Sequence, residues 1–73
     1  PQVGDSFEGI VFDEDRGEVL LKIPGLDADD AYAVIRRDEN ILLGKVKEGD
    51  KVVCVVTDVK QEHDYWRVEC RLG

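Results

Sequence analysis

Methionine is absent from this 73-residue chain, and histidine and tryptophan each occur once. The two cysteines, Cys54 and Cys70, are too few for a disulfide scaffold and lack the spacing of metal ligands. The longest apolar run is VVCVV, which is too short to cross a bilayer, and no secretory signal is visible. These absences count against a membrane protein or a disulfide-rich secreted module. They predict reduced thiols and a cytoplasmic location.

Positive charge is also scarce, since 17 acidic residues outnumber 10 basic ones and the formal net charge is −7. Nucleic-acid binding draws affinity from Lys and Arg on phosphates, so strong non-specific binding is not expected, although a local basic strip is possible. The length fits one domain over residues 1–73. The start at Pro1, the missing methionine and the abrupt end after VECRLG lead us to expect a module excised from a longer protein.

Five short β-forming segments cover most of the chain, with glycines and charged turns between them. Strict alternation in the last two segments separates inward from outward residues, and Trp66 is expected to fill the end of a barrel. The predicted inward residues are Val52, Cys54, Val56, Trp66, Val68, Cys70 and Leu72. Segments of this number and spacing predict an all-β, five-stranded OB-fold (oligonucleotide- and oligosaccharide-binding) Greek-key barrel. A short helical turn is expected between strands three and four, within DENILLGKVKEGD. The predicted strands are residues 6–12, 18–23, 31–37, 51–59 and 65–72.

Three segments carry a family resemblance. VGDSFEGIV, VKEGDKVVCVVTDV and RVECRL resemble the opening, the fourth strand and the last strand of the S-one RNA-binding domain. This is the OB-fold module repeated in the largest protein of the bacterial small ribosomal subunit, and the bacterial initiation-factor branch is a close relative. The resemblance implies a non-catalytic, RNA-binding module of a translation-related or RNA-handling protein.

Members of that family that bind RNA present aromatic residues on the second strand, a histidine on the third and an arginine entering the fifth. Arg67 matches the arginine, but RGEV (residues 16–19) replaces the Phe-Gly-x-Phe pattern and Val34 stands near the histidine position. Other aromatic and basic residues then have to supply the stacking and phosphate contacts. The predicted face for weak, single-stranded RNA binding comprises Phe12, Arg16, Tyr32, Arg36 and Arg67.

The same composition supports a second hypothesis. Phe12 and Tyr32 then pack under loops, the arginines pair with the many acids, and the nucleic-acid face is lost. The barrel would be a protein–protein interaction module that docks other domains of its parent protein, or a ribosomal or RNA-processing partner. Its contacts would be the outward valines and the acidic loop, namely Val53, Val55, Asp29 and Asp30.

No motif in the sequence indicates a catalytic, metal or cofactor site. The acidic segment DADD lacks the twelve-residue calcium-ligand pattern and its closing glutamate. His63 lies in a predicted polar turn with neither a second ligand nor a nucleophile near it in sequence. We therefore expect no enzyme activity, no metal site and no cofactor.

Overall fold

The computed structural model describes residues 1–39 and 46–73 of the chain. The five predicted strands are confirmed, and the first and fourth extend past their predicted ends because the charged residues there still pair with a neighbouring strand. The strands are β1 (Ser6–Asp15), β2 (Glu18–Lys22), β3 (Ala31–Arg36), β4 (Lys51–Gln61) and β5 (Trp66–Leu72).

The connection between β3 and β4 begins with a 3-10 turn at Arg37–Glu39, and no α-helix occurs in the described ranges. The short helical turn predicted here is not supported by the described residues, and residues 40–45 of that segment lie outside them. Within the same ranges, no helix has the length and apolar character needed to span a membrane.

The sheet closes on itself in the order β1-β2-β3-β5-β4, with β4 paired to β1. The β3–β5 pair is parallel and the other four pairs are antiparallel. This all-β, five-stranded closed barrel fits an OB-like barrel. Closure leaves each strand hydrogen-bonded on both sides, so the barrel has no open sheet edge.

The core lies inside the barrel and is made by alternate residues of all five strands. Val52, Cys54 and Val56 of β4 point inward as predicted, as do Val68 and Cys70 of β5. The prediction that Trp66 fills the barrel end is wrong, because its side chain is 44% exposed. The interior at that end is instead filled by smaller residues, among them Ile23 and Ala31.

Two equivalent Gly-Asp turns lead into β1 and β4. Gly4 and Gly49 have φ angles of 93° and 92°, a left-handed conformation that glycine adopts at little cost. Asp5 and Asp50 each accept a hydrogen bond from the backbone N–H three residues earlier, at 2.8 and 3.0 Å. The first turn then bonds to the backbone of β4 and the second to that of β1. The repeated motif is architectural, since each turn closes the barrel seam on the opposite strand.

Candidate nucleic-acid interface

The outer face of β2, β3 and β5 carries the side chains that alternate with the core. Register places Leu20 beside Val34 and Val34 beside Glu69, and Tyr32 lies beside Arg67. In OB barrels the face of strands two and three and the loops 1–2 and 4–5 bind oligonucleotides. The outer face is therefore where a nucleic-acid site is to be sought.

Three aromatic rings meet at one end of this face. A β-bulge between Val11 and Asp13 interrupts the pairing of β1 with β2 at Phe12, and bulges re-aim side chains in this way. The Phe12 ring meets the Tyr32 ring edge-on, with centroids 6.2 Å apart at 79°. Tyr32 stacks on Tyr65 with centroids 5.2 Å apart at 17°. We call Phe12, Tyr32 and Tyr65 the aromatic cluster; each is half-buried, so part of each ring remains accessible.

The surroundings of the Tyr32 phenol disfavour its ionisation. Burial raises the pKa of the Tyr32 phenol above its ordinary value, and hydrogen bonding to the Tyr65 side chain raises it further. The nearby Arg67 guanidinium acts in the opposite direction but does not reverse the rise. Tyr32 is therefore neutral across the physiological pH range and presents an uncharged ring to a ligand.

Arg67 is the centre of an ion-pair network on the same face. Its guanidinium donates two hydrogen bonds to the Glu18 carboxylate, one of them at 3.1 Å, and its Nε donates to Glu69 at 3.2 Å. Lys60 Nζ approaches the same Glu69 at 3.4 Å. The hydrogen bonds to Glu18 raise the pKa of Arg67 further above its ordinary value. The predicted phosphate-binding arginine is thus already engaged, with its side chain only 20% exposed.

The Arg67–Glu18 bridge also explains the burial of Val34. Arg67 lies on β5 opposite Tyr32, whereas Glu18 lies on β2 opposite Arg36. A bridge between them must cross β3 at Val34. Val34 is 1% exposed although it is not a member of the interior core cluster. Its burial comes from the side chains that lie over it on the outer face.

Arg16 and Arg36 lie at the other end of the face, about 13 Å along β3 from Tyr32. They line an open groove of about 400 Å³ together with Arg37. Arg16 is 93% exposed, and its ion-pair contact within the described part of the chain is with Asp15, at 3.9 Å. Arg36 pairs with Asp38 at 3.4 Å, and Arg37 pairs with Glu14. The structure therefore brings Phe12, Tyr32 and Arg67 together and places Arg16 and Arg36 at a separate, basic end.

The residues of the protein-docking hypothesis do not form one surface. Val53 is 50% exposed near the start of β4, with Val55 partly covered beside it. Asp29 and Asp30 belong to the β2–β3 loop, and the Asp30 carbonyl accepts a hydrogen bond from Trp66 at the far end of β4. About 20 Å of strand separates Val55 from the end of β4 at Gln61, and about 26 Å separates Val53 from it.

Sequence reasoning missed Tyr65 and Lys60 as members of this face. Tyr65 was assigned to the last strand without a role. The alternation that places Val68 and Cys70 inward puts Tyr65 and Arg67 on the outer face, so the pattern already contained the signal. Lys60 had no such signal, because its contact with Glu69 depends on a register shift in the β4–β5 pair.

The two cysteines pack together in the core as reduced thiols. The hydrogen bond with Cys54 and burial both raise the pKa of Cys70 well above its ordinary value. The same hydrogen bond lowers the pKa of Cys54, against the effect of its burial. A buried thiol with a raised pKa, as at Cys70, is a poor nucleophile. Residues 1–39 and 46–73 contain no group of three or more His, Cys, Asp or Glu side chains that could hold a metal ion. His63, exposed in the β4–β5 turn, lies 3.7 Å from Asp64.

Comparison with known proteins identifies the fold and no family. No protein-family model matches the chain, and no curated protein matches it. Among solved structures, the chain is similar to the uncharacterized protein MJ1198 from Methanocaldococcus jannaschii, with a TM-score of 0.77 and 15% sequence identity. That match covers 100% of this chain and 93% of the other. At this identity the likeness shows a shared barrel and says nothing of a shared ligand.

Proposed function

We propose that this domain is a non-catalytic module that binds single-stranded RNA weakly, as an accessory part of a larger RNA-handling or translation-related protein. The observation that carries the proposal is the aromatic cluster on the outer face. Phe12 comes from β1, Tyr32 from β3 and Tyr65 from the β4–β5 turn, so the rings converge where OB barrels bind oligonucleotides. The S-one resemblance and the Greek-key OB assignment belong to the same proposal.

Stacking is the main source of affinity in this proposal. Bases splayed out of a single strand stack on aromatic side chains, each contact contributing about 1–3 kcal/mol. The second strand carries no ring here. The stacking rings come instead from the aromatic cluster on the neighbouring elements. Tyr32 stacks against Tyr65, and Phe12 contacts Tyr32 edge-on. The stacked pair is thereby held in place before a base arrives.

Arg16 supplies the phosphate contact in this proposal. It has a positive φ of 52°, which is unfavourable for a side chain of this kind, yet its guanidinium is 93% exposed. A strained residue with an exposed cationic head is a reasonable candidate for ligand contact. Arg36 lines the same groove. Arg67 has a positioning role, since it lies beside Tyr32 and ties β5 to β2.

The decisive experiment is an amide NMR titration of the domain with a short oligouridine at low salt, repeated on Tyr65→Leu. We expect shifts around Phe12, Tyr32 and Tyr65 and a loss of about tenfold in affinity for the variant, since one stacking contact is removed. Trp66→Leu is the matched control, because Trp66 is an exposed aromatic outside the aromatic cluster. Equal losses in the two variants, or an unmoved wild-type spectrum, would overturn the proposal.

The alternative is a protein–protein interaction module on a barrel without nucleic-acid binding. The 50% exposure of Val53 and the pairing of Arg67 with two glutamates favour it. Val53→Lys should then preserve the fold and abolish binding of a partner that is first identified with the wild-type domain. Because Val53 lies far from the aromatic cluster, the same variant should leave the oligouridine titration unchanged.

A further inference from the structure

A second surface lies at the end of the barrel where β2 runs into β3 and β4 runs into β5. An open groove of about 360 Å³ is formed there by apolar side chains, including two exposed ones, Leu26 at 39% and Trp66 at 44%. Exposed large apolar side chains in one depression mark interaction sites more often than isolated ones do. The apolar lining comprises Pro1, Leu26, Ala31, Val59, Trp66 and Val68.

Acidic side chains surround this groove. Asp30 lines it directly, Asp27 shares an adjoining depression with Leu26, and Asp64 shares another with Trp66. All are exposed. We call the five carboxylates of the two loops the acidic rim: Asp27, Asp29, Asp30, Glu62 and Asp64.

The acidic rim differs from the rest of the acidic surface in its lack of basic partners. At the opposite end of the barrel and on the sheet face, Glu14, Glu18 and Glu69 pair with arginine or lysine. In the described part of the chain, no lysine or arginine lies within ion-pair distance of any rim carboxylate. Within residues 1–39 and 46–73, the one contact of a rim carboxylate with a potential cation is that of Asp64 with His63.

We infer that the groove binds a basic peptide segment of another protein, with a large apolar side chain inserted between Leu26 and Trp66 and flanking lysines or arginines against the acidic rim. Charge complementarity selects this partner, because an apolar anchor alone would not account for five carboxylates that have no lysine or arginine partner in the described part of the chain. A second copy of the domain would bring two acidic rims together and is disfavoured by repulsion. Strand addition is ruled out as the mode of docking, since the closed barrel has no sheet edge to extend.

The test uses the fluorescence of Trp66, the only tryptophan in the chain. The probe is an acetylated, amidated heptapeptide, Lys-Arg-Lys-Phe-Lys-Arg-Lys, titrated into the 73-residue domain at low salt. We expect saturable blue-shifted emission as the phenylalanine covers the indole. The same peptide with alanine in place of phenylalanine should bind at least about fivefold more weakly, since it lacks the apolar anchor. A peptide with glutamates in place of the basic residues should give no shift.

Variants locate the site. Asp29→Asn/Asp30→Asn should weaken binding by about fivefold, whereas the control Asp13→Asn/Glu48→Gln removes the same charge at the other end of the barrel and should have little effect. Leu26→Ser should abolish the preference for phenylalanine over alanine. The inference is overturned if the two double variants weaken binding equally, or if the phenylalanine and alanine peptides bind equally well. Either result would mean that the peptide is held by general charge attraction alone. A blue shift that follows protein concentration alone would identify a second copy as the occupant and also overturn it.

Discussion

At the scale of single residues, Arg67 connects three strands of the outer face. Its guanidinium donates hydrogen bonds to Glu18 on β2 and Glu69 on β5, and Arg67 lies beside Tyr32 on β3. Removing the guanidinium leaves a half-buried Glu18 without its cation. For this reason Arg67→Glu is a poor test of RNA binding, because it gathers three carboxylates in one place and perturbs the fold itself.

Arg67→Met keeps the length of the stem and should destabilise the domain by about 1–3 kcal/mol, because it leaves Glu18 unpaired. Urea unfolding measures the change. The double variant Arg67→Met/Glu18→Gln should recover part of the loss, since neither partner is then left charged. Arg71→Met, at an exposed position of the same strand, is the control and should change stability by less than about 0.5 kcal/mol. If the stability lost in the double variant equals the sum of the losses in Arg67→Met and Glu18→Gln, the two residues are not energetically coupled.

The lowered pKa of Glu69 predicts how the stability of the domain depends on pH. Burial acts to raise the pKa of Glu69, but the hydrogen bonds and charges of Arg67 and Lys60 outweigh it and hold that pKa below its ordinary value of 4.5. The ionised carboxylate therefore stabilises the fold above about pH 4.5, and this contribution is lost as pH falls through the lower, folded-state pKa.

Glu69→Gln should be less stable than the wild type at pH 7 by at most about 1 kcal/mol, because the pair is partly exposed. The difference should vanish as pH falls from 4.5 toward 2, which urea unfolding at several pH values would show. Glu48→Gln, at an exposed loop position, should track the wild type throughout. If the difference in stability between Glu69→Gln and the wild type does not change with pH, the charge of Glu69 does not contribute to stability.

At the scale of elements, the β1–β2 hairpin contains a residue that does not suit its turn. Asp15 pairs with Glu18, so Arg16 and Gly17 form a two-residue loop, and both have positive φ angles, 52° and 79°. Type I′ turns of this kind favour Asn-Gly. Arginine at the first position carries a backbone cost that asparagine largely avoids.

Arg16→Asn should therefore stabilise the domain by about 0.5–1 kcal/mol and raise Tm by roughly 2–8 °C. Thermal unfolding followed by circular dichroism measures this. Gly17→Ala is the opposing control and should destabilise, because a side chain is disfavoured at φ 79°. If Arg16→Asn lowers Tm, the strain assigned to this turn is not real.

At the scale of the whole molecule, the charge distribution separates two kinds of surface. Arg16 and Arg36 line the groove at one end of the outer face. The acidic rim lies at the other end, where Asp30 and Asp64 share a depression with Tyr65 of the aromatic cluster. A net charge of −7 limits the number of phosphates that the domain can neutralise. Base stacking should accordingly contribute more to RNA affinity than phosphate contacts do. The affinity should therefore fall only modestly as salt is added.

With about two phosphate contacts, the slope of log K against log salt should be about −1.4, or a roughly sevenfold loss between 50 and 200 mM salt. Fluorescence anisotropy with a labelled oligouridine measures the slope. Arg16→Asn should reduce its magnitude by about 0.7, because one contact is lost, while Tyr65→Leu should lower affinity at every salt concentration and leave the slope unchanged. A wild-type slope steeper than about −4 would contradict the stacking model.

The strands and turns of this protein follow from local patterns in its amino-acid sequence. Period-two alternation located five strands and the inward residues of β4, and the two Gly-Asp motifs marked the turns where the backbone needs a left-handed residue. These features are local, because alternation and turn chemistry depend on residues a few positions apart. The alternation also assigned Tyr65 to the outer face, although its role went unnoticed.

The contacts that the outer side chains make depend instead on residues far apart in the sequence. The Arg67–Glu18 bridge joins residues 49 positions apart, and it depends on the parallel β3–β5 pair that brings β5 beside β3. The bulge at Phe12 and the register shift in β4 each change the strand pairing by one residue, which moves side chains to the other face of the sheet. Period-two alternation in the sequence does not predict such shifts. Trp66 was predicted to be buried because its parity is inward, but β5 begins at that residue and its side chain lines an open groove at the barrel end. Burial at the end of a strand depends on what covers it, and that is a property of the assembled barrel.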